Sequence, residues 1–225
     1  MILAIDCAAN LCSACVYDSE EDRELGRKVL DLGRGHAEHL IAVIVAALGA
    51  AGKTYAGLGS IVVSVGPGSF TGLRVGVATA RGLSLALKIP AIGVTTLEAL
   101  ATEAWESFPQ RPVLVVLDGG RGEIHGALYD EAGKPSSGPA AITLEEAAAM
   151  TTMAAKGLIL TGSAAIRVAE AAGRSLDVCA NAATADIAVY ARLGAQKMPG
   201  EKPRPLYLRG ADAKPQAGFI LPRAR

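Results

Sequence analysis

The chain has 225 residues, of which 22 are basic and 22 acidic, so its formal net charge at pH 7 is zero. Such a balance excludes a protein that binds a nucleic-acid backbone tightly and unaided, because that needs a basic footprint. With 51% hydrophobic and 20% charged residues, the composition is typical of a globular protein with a real core.

No basic leader precedes the first apolar run, and no apolar run reaches the roughly 18 residues of a membrane helix. Cys12 and Cys15 have the spacing of a redox or zinc motif, but they fall in a strand pattern. Positions three apart on a strand point to opposite faces, which favours separate buried thiols. We therefore expect a reducing, cytoplasmic location and no membrane contact.

The first half of the chain has strand and helix patterns in the order β-β-β-α-β-α-β-α. Three strands joined by short links come first, and they predict an antiparallel meander. The βα alternation that follows predicts a mixed sheet with helices on its faces. The predicted strands are residues 1–8, 11–18, 27–33, 60–66 and 89–94, and the predicted helices are residues 36–52, 71–87 and 96–108.

The second half repeats this arrangement with fewer and weaker strands. Thr143 with Glu146 three residues later forms a capping box, the mark of a helix start. Strands are predicted at residues 112–120, 123–130 and 157–162, and further helices at residues 164–173 and 185–197. The domains expected are an N-terminal domain (1–108), a reduced second domain (109–210) and a tail (211–225).

Gly66-Pro67-Gly68-Ser69 stands between an apolar run and a helix, where phosphate-binding loops occur. A P-loop needs Lys after its second glycine, and here Gly72 is followed by Leu73. The dinucleotide pattern needs its third glycine at Thr71. We therefore expect Ser69 or Thr71 to cap the helix. Anion binding at the helix N-terminus stays open.

Asp6 and Asp118 each follow an apolar strand just before a turn. Either carboxylate could orient a metal-bound water under a phosphate, or accept hydrogen bonds from the turn behind it. His36 and His39 are three apart, whereas helical zinc motifs place histidines four apart. No Ser-His-Asp or Cys-His set is visible.

Segments along nearly the whole chain carry a family resemblance. They are "ILAIDCAAN", "GRGHAEHL", "SVGPGSFTGLRVGVATARGLSLALKIPAIGVTTLEALA", "DGGRGEIHGAL" and "PRPLYLRGADAK". The sequence resembles the bacterial TsaB (YeaZ-type) family, a degenerate branch of the actin-like ATPases. The resemblance implies an α/β protein of the ASKHA, RNase H-like fold, with two tandem domains of mixed sheets flanked by helices and a reduced second domain.

The resemblance also implies a non-catalytic role. Members of the family pair with a TsaD-type catalytic subunit and act with a TsaE-type ATPase. Together these proteins transfer threonylcarbamoyl to adenosine 37 of tRNAs that read ANN codons. The expected partners are those two proteins, tRNA is expected to be reached only through the complex, and a homodimer of the isolated chain is left open.

The catalytic relative binds its metal through two histidines four apart, and Thr96 and Leu100 stand at the matching positions. A hydroxyl and an alkyl chain do not replace two imidazoles. The first loop, "DCAAN", lacks the relative's hydroxyl residues at Cys7 and Ala8. No catalytic or metal-binding residue is therefore expected in the isolated chain, and ATP or ADP and metal are expected only in the assembled complex. The expected remnants of phosphate loops are Asp6, Cys7, Gly68, Ser69 and Asp118.

Two enzymatic alternatives stay open from the sequence. One is an active ATPase or phosphotransferase that uses Asp6 and Asp118 around Mg²⁺. The other is a metallopeptidase.

The predicted helix 71–87 is apolar nearly all round, apart from a narrow polar stripe of Arg74, Arg81 and Lys88. Such a helix is buried on more than one side, either by its own domain or by a second protein. The resemblance favours a subunit interface. Its expected residues are Leu40, Ile44, Gly72, Val75, Gly76, Ala78, Thr79, Gly82 and Leu83.

Overall fold

The structure is a computed structural model that describes residues 1–153 and 156–208. Its strands are β1 (Ile2–Asp6), β2 (Leu11–Asp18), β3 (Arg23–Asp31), β4 (Ser60–Gly66), β5 (Ala91–Thr95), β6 (Val113–Gly120), β7 (Glu123–Tyr129), β8 (Pro135–Ile142), β9 (Ile159–Thr161) and β10 (Asp177–Ala180). Its α-helices are α1 (His36–Ala50), α2 (Phe70–Leu87), α3 (Thr96–Ser107), α4 (Leu144–Met153), α5 (Ala165–Ala171) and α6 (Ile187–Gln196). The predicted tail 211–225 lies outside the described residues.

The first sheet has the strand order β3-β2-β1-β4-β5. Strands β1, β2 and β3 are antiparallel neighbours, and β4 and β5 run parallel to β1. This confirms the predicted meander followed by parallel strands. Strand β3 begins at Arg23, four residues before the predicted start. Most of its side chains are at least partly exposed, so this charged edge strand lacks the apolar pattern of its neighbours.

The second sheet repeats this topology as β8-β7-β6-β9-β10. Strands β6, β7 and β8 are antiparallel, and β9 and β10 run parallel to β6. Its parallel strands are short, three residues in β9 and four in β10. Two tandem mixed sheets, the second one reduced, confirm the predicted fold class.

The helices form layers around and between the sheets. Helices α1 and α2 pack on one face of the first sheet. Helices α3 and α6 pack on its other face and on the second sheet, so they lie between the two sheets. Helices α4 and α5 cover the outer face of the second sheet. The domain boundary at residue 108 stays a prediction, but α6, which that prediction gives to the second domain, packs against the first sheet.

The cysteines follow the predicted alternation along β2. Cys12 lies in the core beneath α1 and α2, together with Cys7. Cys15 lies in the core on the opposite face of the sheet. All four cysteines are free thiols. Among the described residues, no helix combines the length and apolar character needed to cross a membrane.

Candidate functional site

Asp6 lies beneath the turn that joins β1 to β2. Its carboxylate is 1% exposed. The Ala8 backbone N–H donates to Oδ1 over 2.9 Å, and the Thr184 hydroxyl donates to Oδ2 over 2.7 Å. Burial raises the pKa of Asp6, against the lowering effect of hydrogen bonds from Ser64, Thr184 and the Ala8 backbone. Asp6 therefore accepts hydrogen bonds from its own turn, the second of the two roles considered for it.

The Gly-Pro-Gly-Ser loop packs directly on that same turn. The Ser69 backbone N–H donates to the Ala8 carbonyl oxygen over 2.6 Å. A Cβ on Gly68 would overlap the Ala8 carbonyl oxygen, and a Cβ on Gly72 would overlap the carbonyl oxygen of Cys7. These glycines permit close contact between two stretches of backbone. Two amides that would be needed to cradle a phosphate, those of Ala8 and Ser69, already donate within the chain.

Ser69 also caps α2, since its hydroxyl accepts from the Gly72 backbone N–H over 3.3 Å. Of the two predicted caps, Ser69 is the correct one, and Thr71 lies inside the first turn of the helix. The loop thus caps α2 and packs against the turn between β1 and β2.

Asp118 lies on the opposite side of a cleft between the two sheets. Its Oδ1 accepts from the Gly120 backbone N–H over 2.8 Å, and Arg167 lies 3.5 Å from Oδ2. The side chain is 49% exposed, unlike that of Asp6. The two aspartates repeat one local role, because each stabilises the turn that follows its strand. Asp118 lines the cleft, whereas Asp6 is buried and is not among the residues that line it.

The cleft has a volume of about 220 Å³, below the roughly 300 Å³ at which ligand pockets begin. Of the predicted phosphate-loop residues, the structure brings Gly68, Ser69 and Asp118 to the cleft and leaves Asp6 and Cys7 beneath it. The cleft is lined by Ala8, Ala9, Asn10, Gly33, Gly68, Ser69, Leu117, Asp118, His125, Ser163 and Ala183. The Ala8 and Ser69 amides and the Asp118 carboxylate are already engaged within the chain, and the binding of ATP or ADP only in the assembled complex stays a prediction.

The positions that match the catalytic relative's metal-binding histidines lie in the core. Thr96 and Leu100 are both fully buried. His36 is buried with Nε2 3.2 Å from the Leu11 carbonyl oxygen, while His39 is exposed. In residues 1–153 and 156–208, no three or more His, Cys, Asp or Glu side chains cluster as metal ligands would.

The predicted interface residues divide into two groups. Leu40, Ile44, Gly72 and Gly76 are buried inside the monomer, and their role as partner contacts stays a prediction. They face the sheet or the first turn of their own chain. The other predicted residues are at least partly exposed, and their role as an interface stays a prediction; they are Val75, Ala78, Thr79, Gly82 and Leu83.

The sequence analysis missed two large apolar side chains on α1. Ile41 and Val45 are each 52% exposed and one helical turn apart. Every position of α1 near them is apolar, so the sequence pattern does not show which face meets the sheet. We name the exposed apolar surface of these two helices the α1/α2 outer face. It consists of Ile41, Val45, Val75, Ala78, Thr79, Gly82 and Leu83.

Comparison with known proteins shows which family the chain belongs to. Residues 31–201 match the family model TsaD, described as tRNA N6-adenosine threonylcarbamoyltransferase. The chain belongs to this family. Within the TsaD family it groups with the TsaB/YeaZ branch, which confirms the resemblance seen in the sequence.

Relatives of the chain include the tRNA threonylcarbamoyladenosine biosynthesis protein TsaB of Escherichia coli, 34% identical over 128 residues. That alignment covers 57% of this chain and 54% of the relative. TsaB of Buchnera aphidicola (from Schizaphis graminum) is 33% identical, over 57% of this chain and 60% of the relative. An uncharacterised protein of Mycobacterium bovis is 39% identical, over 62% and 63%. The chain thus spans little more than half the length of these relatives.

Among solved structures, YeaZ from Pseudomonas aeruginosa matches with a TM-score of 0.76 at 23% identity, covering 92% of this chain and 99% of that one. Component A of the Acidaminococcus fermentans (R)-2-hydroxyglutaryl-CoA dehydratase matches with a TM-score of 0.52 at 10% identity, covering 87% and 97%. These likenesses concern the fold alone, two tandem mixed sheets with helices.

Proposed function

We propose that this chain is a non-catalytic subunit required for threonylcarbamoylation of adenosine 37 in tRNAs that read ANN codons. Its TsaB relatives are named for tRNA threonylcarbamoyladenosine biosynthesis, which supports a role in that process. The match to the TsaD family model supports a relationship to the catalytic subunit. In this proposal the chain pairs with a TsaD-type subunit and cooperates with a TsaE-type ATPase.

The observation that carries the proposal is the α1/α2 outer face. Ile41 and Val45 are large apolar side chains that stay half exposed on α1. Beside them, Ala78 and Gly82 are exposed positions of α2 with almost no side chain, and nothing lies within 4 Å of a Cβ built at Gly82. Small residues let a second backbone approach, and the large ones supply apolar area to bury. This face suits a helical partner surface.

The turn after β1 and the Gly68–Ser69 loop bind each other, and this supports a scaffolding rather than a catalytic role. In the proposed complex, nucleotide and metal are bound by the other subunits, and this chain supplies no ligand to either. Its first turn and the Gly68–Ser69 loop instead fix the start of α2, which holds the outer face in place. The chain then acts by positioning its partner.

Co-purification with the TsaD-type protein of the same cell tests the proposal. We expect the two chains to co-elute, and the Ala78→Arg variant to stay folded but to elute alone. ATP turnover by the isolated chain that is abolished by Asp6→Asn, with no complex formed, would instead favour an active phosphotransferase.

A further inference from the structure

Charge is distributed unevenly in this neutral chain. No acidic residue lies between Glu38 and Glu98, a stretch that includes all of α2. Arg74, Arg81 and Lys88 recur there every seventh residue, and each is exposed. They extend over about 21 Å, given the helical rise of roughly 1.5 Å per residue. One side of α2 is therefore locally cationic although the whole protein is not.

The segment after α6 adds to this positive surface. Pro199, Gly200 and Lys202 line a groove of about 560 Å³ together with Arg81 and Lys88 at the C-terminal end of α2. Further along, the Leu206 backbone N–H donates to the Val65 carbonyl oxygen over 2.7 Å, near the helix start. The segment therefore runs antiparallel to α2.

We name the resulting surface the cationic stripe, which consists of Arg74, Arg81, Lys88, Lys202 and Arg204. Among the described residues, no carboxylate forms an ion pair with any member of the stripe. Some cations elsewhere on the protein are paired, as Arg27 is with Asp186 and Lys197 with Glu98, whereas others, such as Lys28 and Arg174, also have no ion pair within the described part of the chain. The stripe is thus a cluster of five exposed cations beside the α1/α2 outer face, with Glu201 next to Lys202 as the acidic residue in the same segment.

Two exposed aromatic rings stand at one end of the stripe. Phe70 is 54% and Tyr207 45% exposed, with ring centroids 5.2 Å apart. The Arg74 guanidinium lies 3.6 Å above the centre of the Phe70 ring, and its Nε donates to the Tyr207 hydroxyl over 2.9 Å. These contacts hold both rings in place while much of their surface stays open to solvent. The rings are thus pre-oriented beside the cations.

Attachment of the segment after α6 to α2 explains only part of this arrangement. It accounts for the contacts of Arg74 with the two rings. It does not account for unpaired cations at Arg81, Lys88 and Lys202, or for large aromatic surfaces left exposed. A row of cations next to oriented aromatic rings is the combination by which proteins bind single-stranded nucleic acid, through phosphate contacts and base stacking.

We propose that the cationic stripe, together with Phe70 and Tyr207, is an RNA-binding surface through which this chain contacts tRNA directly. In this arrangement Arg81, Lys88 and Lys202 contact phosphates, and an unstacked base lies on an exposed face of Phe70 or Tyr207. The inference rests on the proposed function and goes beyond it, since the sequence predicts contact with tRNA only through the complex. Because the net charge is zero, the surface adds to the affinity of the complex rather than binding tRNA tightly alone.

The test uses the co-purified complex of this chain with its TsaD-type partner and a fluorescently labelled, unmodified tRNA. Binding is measured by anisotropy at several salt concentrations. For Arg81→Gln/Lys88→Gln we expect affinity about fivefold weaker or more, and a slope of log K against log salt lower by about 1.5, since each lost phosphate contact removes roughly 0.7 to 0.9. The matched control, Lys28→Gln/Arg174→Gln, removes the same charge from the opposite sheet edge and the second domain, and should bind like wild type.

Substitutions of Tyr207 distinguish base stacking from attachment of the segment after α6 to α2. Tyr207→Phe keeps the ring and loses the hydrogen bond from Arg74, whereas Tyr207→Ala loses both. We expect tRNA affinity to fall about fivefold or more for Tyr207→Ala and to stay near wild type for Tyr207→Phe. Equal losses in the two variants, with unchanged melting temperatures, would overturn the stacking role.

The other outcomes distinguish a failure of this inference from a failure of the proposed function. If the Arg81→Gln/Lys88→Gln chain no longer joins its partner, while the complex that does form binds tRNA normally, the stripe is a protein-docking surface and the inference is wrong. If both charge-matched pairs lower affinity equally, the effect is non-specific and the inference is also wrong. If the complex modifies tRNA and every variant binds like wild type, this inference fails while the proposed function stands. If no complex forms or none binds tRNA, both fail.

Discussion

Two isoleucines on α1 distinguish the core of the monomer from its proposed partner surface. Ile44 is fully buried against the first sheet, whereas Ile41, three residues earlier, is 52% exposed. Replacing each by Glu makes the same chemical change on the same helix. We expect Ile44→Glu to unfold the monomer. We expect Ile41→Glu to leave it folded and to abolish association with the TsaD-type partner.

The expected losses of stability follow from how deeply each of the two side chains is buried. Truncating a buried Ile to Ala costs about 2–5 kcal/mol, and Ile44→Glu adds the penalty of an unpaired buried carboxylate, another several kcal/mol. That sum approaches the whole stability of a typical domain, about 5–15 kcal/mol. A surface substitution such as Ile41→Glu is usually within about 0.5 kcal/mol, which corresponds to a melting shift of roughly 1–2 °C at this size.

Thermal melting beside a pull-down with the partner measures both effects, and Ala78→Arg serves as a second probe on α2. An Ile41→Glu chain that melts normally and still binds its partner at wild-type strength would refute the proposed interface. An Ile44→Glu chain that melts normally would refute the assignment of the helix faces.

Four further predictions concern Gly72, Gly82, Asp6 and the metal content of the chain. Gly72→Ala should lower the melting temperature, because its Cβ would overlap the Cys7 carbonyl oxygen. Gly82→Ala has free space in the monomer and should raise the melting temperature by about 2–4 °C through the roughly 1 kcal/mol gain in helix propensity, while weakening partner binding. For Asp6, burial raises the folded-state pKa above its ordinary value of 3.8, so the charged form is disfavoured in the fold. The melting temperature of wild type minus that of Asp6→Asn should therefore fall as pH rises above about 4, and a difference independent of pH would contradict this. Finally, EDTA should leave the melting temperature of the isolated chain unchanged, and elemental analysis should find no stoichiometric zinc or iron; a metal lost on mutating His36 would contradict it.

The sequence predicts the buried elements well because their signals are local. Strand β4 occupies the predicted residues 60–66, and the capping box of Thr143 and Glu146 forms as expected. Strands β8 and β10 were missed. Both are edge strands, and β8, with the sequence "PSSGPAAI", is mostly exposed, so neither has the apolar alternation that marks a strand.

The candidate site was predicted less completely because it depends on helix orientation and on contacts between residues far apart in the sequence. Helix α1 is apolar on all sides after its first turn, so only the structure separates Leu40 and Ile44, which face the sheet, from Ile41 and Val45, which face outward. The approach of Tyr207 to Phe70 joins residues 137 positions apart, and no local pattern indicates it. The Gly68 and Gly72 contacts with the first turn are backbone contacts that leave no side-chain signal.

Reconstituted tRNA modification tests the central claim most directly. An unmodified tRNA that reads ANN codons is incubated with the TsaD-type and TsaE-type proteins of the same cell, ATP and the threonylcarbamoyl donor, with and without this chain. We predict threonylcarbamoylated adenosine 37 only when the chain is present, and wild-type levels when Asp118→Asn replaces it. Full modification without the chain, or loss of modification in a folded, partner-bound Asp118→Asn variant, would contradict a required, non-catalytic role.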